Sequence, residues 1–150
     1  MKIAPIVLGV GGALLLVGAI GLGIWAGMPA NPLATLGILV LSAGALTKLV
    51  YLVLFGLGIW IAILGATSLA KGRSGDPSLL SVLTLLPPGL GLLATLLTGL
   101  SIVRAMQNTH TSDLFVIAPS LAEALAPLGV GLLLGAVPAA LKARLTSAAA

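Results

Sequence analysis

The stretch LPPGLGLLAT at residues 86–95, followed after a polar segment by AEALAPLGVGLLLGAVPAA at 122–140, decides how the chain folds. Both segments are apolar and rich in glycine, and only hydroxyl groups and one carboxylate interrupt them. With its apolar flanks, each is long enough to form a helix across the roughly 30 Å hydrocarbon core of a membrane. Polar groups retained in such helices are costly in lipid, so they are candidates for a function.

The composition of the whole chain also indicates an integral membrane protein. Of its 150 residues, 59% are hydrophobic and only 7% are charged, whereas about a quarter of the residues of a soluble domain are charged. The net charge of +4 comes from basic residues at the ends of apolar runs. There they orient helices in the membrane, and they do not indicate binding of nucleic acid.

The inventory of reactive side chains argues against an enzyme. The chain has no cysteine and a single histidine, His110, which cannot form a metal site by itself. No nucleophile and base are spaced as in a catalytic site. We therefore expect no cofactor, no metal ion and no enzymatic activity.

The apolar runs predict an all-α membrane protein with four transmembrane helices and no soluble domain. The expected helices cover residues 3–28, 33–70, 78–104 and 119–141. For the first run, a signal peptide cleaved after Ala30 is the alternative. That run is longer than a signal-peptide core of roughly 7–15 residues, which favours a membrane helix.

The run at 33–70 allows two interpretations, because one basic residue, Lys48, lies near its middle. The first is a single, unusually long helix of roughly 57 Å, tilted in the membrane and kinked near Gly44. The second is a hairpin that turns at Lys48. No turn-forming residues flank Lys48, so we expect the single helix.

The distribution of basic residues predicts the orientation of the four helices. Arg104 falls on one side of the membrane, and on the other side fall Lys2, Lys71, Arg73, Lys142 and Arg144. Because lysine and arginine are enriched on the cytoplasmic side, both termini are expected in the cytoplasm. Residues 105–118 then form an outer polar loop.

Three threonines of the third predicted helix share one face. Thr84 and Thr95 are three turns apart, and Thr98 follows one turn later. Such a stripe has two interpretations. The hydroxyl groups bond to carbonyl groups of their own helix, or they line a hydrated path for ions.

Glu123 is the acidic residue that lies at the start of the last apolar run. In one interpretation Ser120 and Glu123 form a capping box, in which the carboxylate returns to the amide of Ser120. In the other, Glu123 is a protonatable group held within the membrane. The sequence leaves both interpretations open.

Four short motifs follow one another in the second half of the chain: PGLGLLAT at 88–95, AEAL at 122–125, GL at 131–132 and PA at 138–139. In order and near-spacing they resemble the last two membrane helices of the MotA/TolQ/ExbB family of proton channels. The resemblance is confined to this region, and the large cytoplasmic insertion of typical members is missing.

The resemblance implies a ring-forming subunit, typically of a pentamer, in a proton-driven motor or energy-transducing channel of the bacterial cytoplasmic (inner) membrane. The ring would surround a single-span partner resembling MotB, TolR or ExbD, which carries the titrating aspartate. By position, Thr95 corresponds to the pore-facing threonine and Glu123 to the acidic residue of the last helix, and Thr98 and Thr84 extend the path. Leu128 departs from the family, because a second threonine is expected there. The alternative function is a non-conducting scaffold subunit of a larger membrane complex.

Overall fold

The structure, a computed structural model, describes residues 3–71, 77–110 and 113–148. Its regular elements are five α-helices: α1 (Ile3–Trp25), α2 (Pro32–Ser42), α3 (Ala45–Lys71), α4 (Pro77–Thr109) and α5 (Leu114–Ala148). Helices suit a membrane because each satisfies its backbone N–H and C=O groups within one segment. All but α2 are long and apolar enough to cross a membrane. The predicted all-helical fold with four membrane-length helices is therefore found.

The helix predicted at 33–70 is divided into two helices. At Ala43 the backbone is extended, with φ −54° and ψ 147°. Helix α3 then starts with a hydrogen bond of 2.9 Å from the Lys48 N–H to the Gly44 carbonyl. The prediction of one continuous helix is corrected, although the break falls beside Gly44, where a kink was expected. Lys48 lies inside α3, so the chain does not turn there.

Helix α2 is too short to cross a membrane. Its 11 residues extend about 16 Å, roughly half of the hydrocarbon core. Asn31 caps it, since its side-chain oxygen accepts a hydrogen bond of 3.0 Å from the Leu33 N–H, and Pro32 occupies the first turn without losing a bond. The buried Thr35 hydroxyl donates to the Pro29 carbonyl at 2.7 Å. These bonds fix the direction in which α2 leaves the turn after α1.

Helix α5 is the central helix, because it packs extensively on both α1 and α4 and also contacts α2 and α3. Glycine allows its backbone to approach α1 directly. A Cβ atom on Gly12 of α1 would lie 2.9 Å from the Gly129 carbonyl oxygen and 2.8 Å from the Leu133 nitrogen, both in α5. Small residues at such a contact are typical of helix pairs in membranes.

Helix α4 packs against α5 where it carries two consecutive prolines, Pro87 and Pro88. Proline at position 88 removes the N–H that would bond to the Thr84 carbonyl. That carbonyl oxygen lies 2.7 Å from the place of a Cβ on Gly135, and the Pro87 carbonyl lies against Gly131. Helix α4 remains continuous through both prolines. Its freed carbonyl group is buried against the smooth glycine face of α5 rather than exposed to lipid.

The segment between α4 and α5 is shorter than predicted, because both helices extend into residues 105–118. Asp113 starts α5: its carboxylate accepts a hydrogen bond of 3.0 Å from the Phe115 N–H. Ser120 and Glu123 consequently lie inside α5. The capping-box interpretation is wrong, because the amide groups that it would satisfy are already bonded within the helix.

The beginning of α1 lies beside the end of α5. Ile6 and Arg144 line the same shallow, apolar cleft, and at this end the Lys142 Nζ donates to the Ser81 Oγ of α4 at 2.6 Å. The first and last helices thus have these ends on one side of the bundle. Their cytoplasmic location stays a prediction, and two of the basic residues behind it lie outside the described residues, namely Lys2 and Arg73.

We expect Gly12→Ala to destabilise the protein and Gly11→Ala to leave it folded and stable. A Cβ at position 12 meets the backbone of α5, which cannot move aside, at a cost of about 1–3 kcal/mol. A Cβ at position 11 has nothing within 4 Å. Thermal unfolding of the two variants in detergent measures the difference. Equal melting temperatures would contradict the close contact between α1 and α5.

Candidate functional site

A cleft of about 560 Å³ lies where the break between α2 and α3 faces α4 and α5. Its walls are the first turn of α3, the second half of α4 and one side of α5. Much of the lining is aliphatic, and its polar side chains are Thr47, Thr98, Ser101, Arg104, Ser120 and Glu123. Convergent polar groups in an otherwise apolar cleft are the usual mark of a functional site.

Glu123 is the central group of this cleft. Of the three acidic residues in the sequence, it alone falls within one of the four membrane-length spans. Its side chain is half-buried, and its carboxylate accepts a hydrogen bond from the hydroxyl of Ser42, the last residue of α2. A carboxylate at such a depth persists only where protein or water solvates it. The end of α2 supplies part of that solvation.

The break in the helix also brings backbone charge to the cleft. Residues 44–47, which precede and form the first turn of α3, line it. The N–H groups of a first turn have no carbonyl partner in their own helix, and they carry the positive end of its dipole. Arg104 also lines the cleft. These positive groups complement the negative charge of an ionised Glu123.

Ser42 has one proton to donate and three acceptors within reach, of which the Leu39 carbonyl oxygen, at 3.5 Å, is the most distant. Its Oγ lies 2.7 Å from the Ile38 carbonyl oxygen and also contacts the Glu123 carboxylate. When Glu123 is ionised, the hydroxyl donates to the carboxylate. When Glu123 is protonated, the carboxyl donates to Ser42, and Ser42 donates to Ile38. Rotation of one hydroxyl group therefore satisfies the Glu123 carboxyl group whether it is ionised or protonated.

Thr98 is the predicted threonine that the structure brings to the cleft with Glu123. Its hydroxyl lies 3.2 Å from that of Thr47, so the pair joins α4 to α3. Thr47 is almost completely buried, with 5% of its surface exposed. Because two hydroxyl groups share one hydrogen bond, the other proton and lone pairs remain for cleft water.

The other two predicted threonines lie away from the cleft lining. The Thr95 Oγ1 lies 2.6 Å from the Ala124 carbonyl oxygen of α5 and 3.0 Å from the Gly91 carbonyl oxygen of its own helix. Thr95 is thus a link between α4 and α5. The Thr84 Oγ1 donates to the Leu80 carbonyl of its own helix at 2.7 Å. This is the first of the two interpretations of the threonine stripe, in which the hydroxyl groups bond to carbonyl groups of their own helix.

Sequence analysis missed Ser42 and Thr47, the two residues that flank the helix break on the side of the cleft. The available signal is the sequence SAG at 42–44 in the middle of an apolar run. Glycine has a low helix propensity, and serine competes for backbone carbonyl groups. Neither residue ends a membrane helix by itself, so the signal indicated only a kink.

The chemistry of the site is that of one carboxylate with hydroxyl groups. Within the described ranges, no group of three or more His, Cys, Asp or Glu side chains could hold a metal ion. Comparison with protein-family models, with curated proteins and with solved structures gives no match.

We expect Thr95→Val to weaken the contact between α4 and α5, and Thr84→Val to have little effect. The first variant removes a hydrogen bond between helices, worth about 1 kcal/mol in a membrane protein. The second removes only a bond within α4. Unfolding of both variants by a denaturing detergent measures the two free energies. Equal losses would show that Thr95 does not join the helices.

Proposed function

We propose that this protein transfers protons across a membrane through the carboxyl group of Glu123, as a ring-forming subunit of a proton-driven motor or energy-transducing channel. The observation that carries the proposal is the contact between Ser42 and Glu123 at a helix break within a bundle of membrane-length helices. Interrupted helices are the places where many membrane transporters bind ions, because the free helix ends can solvate charge. An intramembrane carboxylate is typical of proton relays.

In the proposed path a proton enters from the cleft, whose hydroxyl groups at Thr98, Ser101 and Ser120 can hold water. It binds to Glu123, and the Ser42 hydroxyl rotates toward the Ile38 carbonyl. When the proton leaves, the Ser42 hydroxyl returns to the carboxylate. Each state keeps its hydrogen bonds, so the energy difference between them stays small, as rapid exchange requires.

In the proposal the proton passes to an acceptor in another chain, because the described spans hold no second carboxylate. Among the described residues that line the cleft, Glu123 is the single carboxylate. Further along α3 and α4 the core consists of aliphatic side chains, including Leu54, Ala94, Ile61 and Leu83. In the proposed ring the acceptor is the titrating aspartate of the single-span partner that the resemblance implies.

The proposed setting is the bacterial cytoplasmic membrane, with both termini in the cytoplasm and the cleft open to the outer side. The positive-inside rule supports this orientation. Apolar residues of α1 and α3 are exposed on the bundle, for example Leu14 at 67% and Leu52 at 73%. In the proposed assembly they contact lipid or neighbouring copies. Whether Thr95 faces a shared pore stays a prediction for the assembled ring.

We expect Glu123→Gln to reduce proton flux by about a hundredfold, as is typical for loss of a positioned acid–base group. The measurement uses purified protein in liposomes that contain a pH-sensitive dye, with an imposed proton gradient. Asp113→Asn is the control. It removes an equal charge outside the spans, and asparagine can still cap α5.

Two results would contradict the proposal. Full flux through the Glu123→Gln protein would exclude Glu123 from the path. If the wild-type protein, alone and co-reconstituted with a single-span partner, gave no more flux than empty liposomes, the non-conducting scaffold would be favoured instead.

Ser42→Ala tests the hydroxyl switch separately from the carboxylate. Because the variant keeps Glu123 but removes its hydrogen-bond partner, we expect about a tenfold loss of flux. Thr67→Ala is the control, since Thr67 is exposed and its hydroxyl bonds at 3.1 Å only to the Leu64 carbonyl of its own helix. Equal flux in the Ser42 variant and the wild type would remove Ser42 from the mechanism.

A further inference from the structure

Tyr51 on α3 has a buried hydroxyl group that takes no part in the path from the cleft to Glu123. Only 2% of its surface is exposed. Among the described residues, its Oη is the one buried side-chain oxygen or nitrogen atom without a hydrogen-bond partner. Buried hydroxyl groups in native proteins are almost always satisfied, either by protein atoms or by bound water. The Tyr51 hydroxyl therefore requires a partner.

The surroundings of Tyr51 leave water as that partner. The residue belongs to a buried cluster with Ala19, Leu39, Ala43, Ala122 and Ala126. None of these side chains can accept or donate a hydrogen bond, and most of them are small. Ala43 is the C-cap of α2, so the buried cluster extends to the helix break.

Glu123 is close to the same position. It directly follows Ala122 of that cluster in α5, and it contacts Ser42, which directly precedes Ala43 of the same cluster. The described parts of α1 and α2 contribute no titratable side chain. Lys48 of α3 is exposed, and Arg104 of α4 lies on the cleft. Among these titratable groups, Glu123 is consequently the one with which a polar site at Tyr51 would interact.

We propose that Tyr51 and Glu123 bind a water molecule between them, and that this water receives the proton when Glu123 releases it. The inference rests on the proposed transfer through Glu123. The Tyr51 hydroxyl donates to the water, and the water donates to the carboxylate or accepts from the carboxyl group. Carbonyl groups at the end of α2, which lack helical donors, supply the further partners that a buried water needs.

In this step one proton passes from Glu123 to the water. One O–H bond of the Glu123 carboxyl breaks, and one O–H bond forms on the water, which becomes a hydronium ion until it passes a proton to the acceptor. The Tyr51 hydroxyl keeps its own proton throughout. Tyr51 is therefore a positioning residue, and it extends the polar path beyond Glu123 toward the interior of the bundle.

Tyr51→Phe tests this inference, because it removes the hydroxyl group and keeps the packing of the ring. We expect proton flux to fall about tenfold, while thermal stability stays the same or rises. Trp60→Phe is the control: it alters another aromatic side chain of α3 that is 48% exposed on the outside of the bundle. Its flux should equal that of the wild type.

Infrared difference spectra on changing pH provide a readout that a purely structural role would not move. The carboxyl band of Glu123, identified by its loss in Glu123→Gln, should shift in Tyr51→Phe. Because Tyr51 is the single tyrosine of the chain, a tyrosine ring band that responds to protonation of Glu123 reports on it alone. That response should disappear in Glu123→Gln.

The two proposals fail in different ways. Unchanged flux and an unchanged Glu123 band in Tyr51→Phe, together with higher stability, would overturn the water site and leave the transfer through Glu123 in place. Absence of flux in the wild type would overturn the transfer. In that case the infrared band of the tyrosine ring still tests the water site. A change in this band when Glu123 is protonated supports the water site, and an unchanged band overturns it.

Discussion

The contact between the Ser42 hydroxyl and the Glu123 carboxylate joins two features that are each costly inside a membrane. A helix that ends there exposes backbone carbonyl groups without donors, and a carboxylate there lacks the hydration that stabilises its charge. Placed together, the helix ends solvate the carboxylate. The end of α2 brings a hydroxyl donor to Glu123, and the start of α3 brings unpaired N–H groups and the positive end of a helix dipole.

That arrangement depends on the position of α5, which glycine determines. Gly129 lets α5 contact the backbone of α1, while Gly131 and Gly135 let it contact α4 at its prolines. Lipid offers no hydrophobic driving force between helices, so such close van der Waals contact is a principal source of association. With both neighbours fixed, rotation of α5 is restricted. Glu123 then points to the cleft, and Thr95 reaches the adjacent Ala124 carbonyl.

Polar groups surround the helix break, and an aliphatic core follows them along α3 and α4. Glu123, Thr98 and Ser42 lie near the break, with Tyr51 buried beyond them, whereas Leu54 and Leu83 belong to an aliphatic core further along. In the proposed function a single copy receives a proton at Glu123, and its described spans hold no second carboxylate as the final acceptor. In the proposed assembly another chain supplies that acceptor. Tyr51 bears on this path because its hydroxyl is the buried side-chain group that lacks a hydrogen-bond partner within the described residues.

The sequence by itself determined the class of the protein and its four membrane-length helices, and it singled out Glu123 as the one carboxylate in a predicted span. These conclusions follow from the hydropathy and charge of each segment. Lipid requires every segment that crosses it to be apolar and to satisfy its own backbone hydrogen bonds, so the sequence alone is enough to recognise such a segment. The sequence did not determine the division of residues 33–70 at Ala43, because glycine and serine are tolerated within membrane helices and end them only when other groups take over the backbone bonds. Nor could it assign partners to Ser42, Thr47 or Thr95: Ser42 and Glu123 are 81 residues apart. Such contacts depend on how the helices pack and rotate, and only the tertiary structure decides that.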